Sequence, residues 1–146
     1  SGLDLLAYEI RILNTACNLA YAKSGTDEGT IALESFLIHA RNLTSFLESK
    51  GKEDELKCSD FTDKQGKNFT SIKTALPSTL YKDISQRCHH IVTAKRLSNK
   101  LGWSIDLITK QINIGINQFI EQLNKDYDFK IKKQIKDITI KLIIPS

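Results

Sequence analysis

Apolar residues recur along this chain mostly at the three- and four-residue intervals of helices, seldom at the two-residue interval of strands. Leu3, Leu6, Ile10, Leu13, Cys17 and Ala20 predict a first amphipathic helix ending near Ser24-Gly25, with Asp4 and Glu9 early and Lys23 late, as the helix dipole favours. Leu5, Ile12 and Leu19 form a second, narrower row, which predicts neighbours on more than one side. Thr26 or Asp27 can cap a second helix. That helix carries the clearest period of the chain, Leu33, Phe36, Leu37, Ala40, Leu43 and Leu47.

Beyond it, the charged run from Lys50 to Glu55 predicts a loop, Leu56 to Phe61 a short helix, and residues 62–73 irregular connection or weak helix. Pro77 suits the first turn of a further helix with Leu80, Ile84, Cys88 and Ile91 on its buried stripe. After a turn at Gly102, another helix starts near Ser104 and points Ile105, Ile108, Ile112, Phe119, Leu123 and Tyr127 inward, with Gly115 admitting a close neighbour. The tail reads two ways. Ile131, Ile135, Ile138 and Leu142 fit a helix, whereas Ile138, Ile140, Leu142 and Ile144 alternate as a strand does. The pattern as a whole predicts an all-α fold, a four- to five-helix up-down bundle in one domain over residues 1–146. Residues 1–128 form its core, and a basic, apolar tail over 129–146 docks on the bundle or on a second copy of the chain.

Charge sharpens this picture. Residues 1–62 hold 6 Lys and Arg against 10 Asp and Glu, a net of −4, and residues 63–146 hold 15 against 7, a net of +8. A basic half can serve a nucleic-acid surface, although lysines spread along helices are more often a solvated face. The three cysteines are widely spaced and match no zinc or CxxC pattern, so they read as free thiols in a reducing, cytoplasmic setting. No stretch reaches the roughly 20 apolar residues of a membrane span. Phosphate-cradling, dinucleotide, HExxH and GxSxG signatures are all absent, as is any Glu-x-x-His pair, so neither a cofactor nor a metal is expected.

The remaining chemistry lies in imidazole and guanidinium groups. His39, Arg41, Asn42, Arg87, His90 and Arg96 are the candidate polar or binding cluster, because histidine shuttles protons near neutrality and arginine stabilises phosphate charge. Each also has a structural reading: His39 as a core-edge histidine bonded to a neighbouring helix, Arg41 as the ion-pair partner of Glu34 or Glu48, and His90 as the partner of Asp83. His39 and Arg41 sit about 200° apart around their helix at 100° per residue, so they do not make one site by themselves. Cys88 beside His89 has the elements of an activated thiol but falls on an apolar stripe, where a buried structural role is expected.

Glu34, His39, Arg41, Leu43 and Phe46, followed by Asp60, Phe61, His90, Arg96 and Trp103, resemble the HEPN-like (higher eukaryotes and prokaryotes nucleotide-binding) helical superfamily over about residues 31–125. The resemblance implies a four- or five-helix bundle, a homodimer and, in many members, metal-independent RNase activity through an Arg-polar-x-His signature. Arg41-Asn42 fits its first half, but Phe46, Leu47 and Glu48 stand where the histidine belongs. The expectation is therefore a non-catalytic or degenerate member that binds nucleotide, RNA or a protein partner. The alternatives are an RNase working through His39 and His90 with Arg41 and Arg96, and a structural partner-binding bundle of a bacterial defence or toxin–antitoxin system.

Overall fold

The structure, a computed structural model, describes residues 2–74 and 105–140. Among these residues it is all-α, with four helices and no strands. α1 spans Gly2–Ala22, α2 Asp27–Glu48, α3 Ile105–Gln122 and α4 Phe129–Ile140, and a single 3₁₀ turn covers Cys58–Asp60.

α1 and α2 form an antiparallel hairpin. The Thr26 hydroxyl accepts from Gly29 N at 3.2 Å and caps α2, while Gly25 turns the chain at φ +83°. Every apolar position assigned to the inner faces of these two helices is buried, with Ile10, Leu13, Phe36, Leu37, Leu43 and Leu47 almost wholly enclosed. The second apolar row of α1 behaves differently from expectation. Leu5 is 61% exposed, Leu19 lies on the surface and Ile12 is half-buried, so the described helices cover one side of α1 and leave this row outward.

α3 packs on α2, and α4 on α1 and α3. Ile105, Ile108, Ile112, Ile116 and Phe119 are buried, and Gly115 lets Leu47 come so near that a Cβ there would lie 2.8 Å from its methyl group. Helix α3 stops at Gln122, earlier than the apolar spacing through Tyr127 predicts. The reason is pairing with the segment after the 3₁₀ turn: Lys64 N donates to Gln122 O at 2.9 Å and Asn124 N donates to Thr62 O at 3.0 Å. Tyr127 still reaches inward, accepting from Thr62 N at 3.2 Å.

Residues 61–74 form no helix. Asp63 closes a tight turn by accepting from Gln65 N and Lys67 N, and Phe61 and Phe69 project into the core. There Phe46, Phe61, Phe69 and Phe119 meet, with Phe46 and Phe119 crossing edge-to-face at 5.2 Å. Of the carbonyls at the C-terminus of α2, Phe46 O and Ser45 O accept from Ser49 N and Lys50 N, whereas Leu47 O accepts from Ile72 N of this segment at 2.7 Å and from Cys58 Sγ of the 3₁₀ turn at 3.1 Å.

Of the two tail readings, the helical one holds through Ile140. Ile135 is fully buried, and Asn14 of α1 donates to Ile138 O at 3.2 Å while accepting from Asn113 of α3 at 3.3 Å. This asparagine pair ties three helices together in a mostly apolar interior. The helix expected after Pro77 and residues 141–146 lie outside the described residues.

Phe119→Ala should lower unfolding free energy by about 3–5 kcal/mol, because it empties the centre of the aromatic cluster. Denaturant melts monitored by circular dichroism would show it. A loss under ~1 kcal/mol would mean that the cluster is not packed this way.

Candidate functional site

The hairpin register decides what happens to His39. The connection is centred on Ser24 and Gly25, so antiparallel helices set Glu9 opposite Ala40 and its neighbours. His39 Nδ1 and Glu9 Oε2 are joined by a hydrogen bond. The Asn42 amide adds two long contacts to the same carboxylate, 3.4 Å to each oxygen. The Tyr8 ring stands edge-on to the imidazole, with centroids 6.0 Å apart, and the Arg11 guanidinium lies over the Tyr8 ring. This is the core-edge histidine that its position on the helix predicts.

Arg41 does not take the ion pair expected of it. Glu48 pairs instead with Lys50 at 2.9 Å, and Arg41 makes no hydrogen bond or ion pair among the described residues. It faces a cleft of about 310 Å³ between α1, α2 and the loop after α2. Glu9, Arg41, Asn42, Ser45 and Glu55 supply its polar groups, and Leu5, Phe46 and Leu56 are among its apolar walls. The Ser45 hydroxyl is buried and has no hydrogen-bond partner among the described residues.

The structure therefore brings Arg41 and Asn42 into one cleft and leaves His39 off its lining, joined to it through Glu9. Arg87, His90 and Arg96 lie outside the described residues, as do Trp103 and Cys88. Sequence reasoning missed Glu9 as the residue that organises the group. Its signal was available, since an acidic residue at the edge of the α1 stripe falls opposite His39 once the short turn at residues 23–26 is folded. Ser45 already shared the helical line of Arg41. Glu55 and Leu56 come from a loop whose path no periodicity encodes.

Among the described residues, no group of three His, Cys, Asp or Glu side chains is placed to hold a metal ion. No described helix is long and apolar enough to cross a membrane. Cys17 and Cys58 are buried free thiols, and burial pushes both thiols up from their ordinary value. Compared with protein-family models, curated proteins and solved structures, the chain matches none.

Two expectations follow. In a Cys88→Ser background, a thiol-specific reagent at neutral pH should modify Cys17 and Cys58 only as the protein unfolds, because buried, protonated thiols are poor nucleophiles; rapid labelling of the folded protein would contradict their enclosure. His39→Ala should cost about 1–3 kcal/mol of stability by leaving the Glu9 carboxylate without its main partner, and an unchanged melting midpoint would show that the pair contributes nothing.

Proposed function

We propose that this chain is a non-catalytic, HEPN-like helical bundle that binds a nucleotide or RNA. The observation that carries the reading is the cleft, where a guanidinium with no hydrogen-bond or ion-pair partner among the described residues and an asparagine side chain lie beside apolar walls. Ligand sites commonly have this makeup, a few polar groups placed on an apolar surface. α4 supports the RNA form of the reading. Its sequence holds four lysines against one aspartate, and Phe129 at its start is 76% exposed beside Lys130 and Lys133, an aromatic platform flanked by cations.

The RNase alternative would need His39 as a proton shuttle beside Arg41, and His39 is not among the residues that line the cleft holding Arg41. A protein-interaction role, whether in a homodimer or with another partner, draws on a different observation. Leu5, Tyr8, Leu19, Ile31 and Ile38 are exposed on the two helices of the hairpin.

Fluorescence anisotropy with a short single-stranded RNA should show affinity that falls steeply as salt rises. Arg41→Ala and Lys130→Ala/Lys133→Ala should each weaken it. No binding at low salt would refute the RNA reading. RNA cleavage that survives chelator and disappears in His39→Ala would establish the nuclease instead. Light scattering at high protein concentration decides the dimer, and a monomer there would refute it.

A further inference from the structure

The polar groups of the cleft are underused by the protein itself. His39 engages Glu9 Oε2, whereas Oε1 receives only the Asn42 amide at 3.4 Å, beyond the usual range of an N–H···O bond. Arg41 has five N–H donors and, among the described residues, none is taken. Glu55 contributes a second carboxylate to the cleft. Two carboxylates against one guanidinium oppose a ligand led by its phosphate. They favour a neutral group that donates along one edge and accepts along the next.

We propose that the cleft lined by Glu9, Arg41, Ser45 and Glu55 binds a guanine base, an assignment that rests on the nucleotide reading above. Guanine offers N1–H and the N2 amino group on its Watson–Crick edge, two adjacent donors for one carboxylate. On its other edge O6 and N7 are two adjacent acceptors, the pair that a guanidinium grips with two parallel bonds. Adenine carries a single amino group flanked by acceptors, so it gives a carboxylate only one donating group. The apolar walls at Leu5, Phe46 and Leu56 suit the flat faces of a base, and about 310 Å³ suits a single nucleoside.

Calorimetric titration of the full chain with guanosine, inosine and adenosine tests this without any phosphate. Inosine differs from guanosine only by lacking the N2 amino group. Guanosine should saturate a single site, inosine should bind about tenfold more weakly for the lost hydrogen bond to a carboxylate, and adenosine more weakly still. Arg41→Gln should abolish guanosine binding while keeping the wild-type melting midpoint. Glu9→Gln also disturbs His39, so the inosine comparison serves as its counterpart, removing the same bond from the ligand side with the protein unchanged. Equal affinity for guanosine and adenosine, guanosine binding that Arg41→Gln leaves intact, or RNA binding without guanosine binding would overturn the guanine assignment and leave the nucleotide reading standing. Absence of binding by every nucleoside and by RNA would overturn both.

Discussion

The packing of α1 against α2 is the constraint on which the rest of the described structure depends. It encloses Ile10, Leu13, Phe36, Leu37 and Leu43, and each such side chain contributes about 1.5–3 kcal/mol when fully buried. Those apolar stripes leave little choice of register, because a shift along either helix would bring polar residues into the seam. Once the register is set, the edges of the two stripes must meet as well. Glu9 then faces His39 and Asn42, and the chain leaving α2 folds back so that Leu56 and Phe61 close against Gly2 at the start of α1. The cleft is what remains between that closure and the outer edge of the hairpin.

The same packing accounts for the division of labour between His39 and Arg41. Both belong to one helix, yet the imidazole lies at the seam and the guanidinium beyond it. At the seam, a carboxylate on the facing helix is the natural partner for an imidazole. Beyond it, the cation has no partner among the described residues, and Glu48, one candidate partner, engages Lys50. The bond to His39 fixes the position of the Glu9 carboxylate beside Arg41 and Asn42.

The helical period made most of the fold legible, because burying a stripe needs only local spacing. The inner faces of α1, α2 and α3 follow from that spacing residue by residue. It could not foresee that α3 would yield its last turn to backbone pairing with Thr62 and Lys64, since that contact joins distant segments and carries no periodic mark. Nor could it show that Leu5 and Leu19 face outward, because an apolar row looks the same in sequence whether or not a neighbour covers it. The candidate site was legible in part for a related reason. Arg41 and Asn42 were visible as residue types, but Glu9 becomes meaningful only through the register, and Glu55 only through the path of a loop. Arg87, His90 and Arg96 belong to a stretch outside the described residues, so their part in any site rests on residue type and helical spacing alone.

The most direct measurement of the central claim, that this hairpin presents a binding cleft through Arg41 while His39 stays bonded to Glu9, is a heteronuclear NMR titration of the full chain with guanosine. The account predicts saturable shifts concentrated at the Arg41 Nε–H, the Asn42 side-chain amide, Ser45 and Leu56, with His39 remaining bonded to Glu9 throughout. Shifts confined to α4, or an imidazole that leaves Glu9 to meet the ligand, would contradict it.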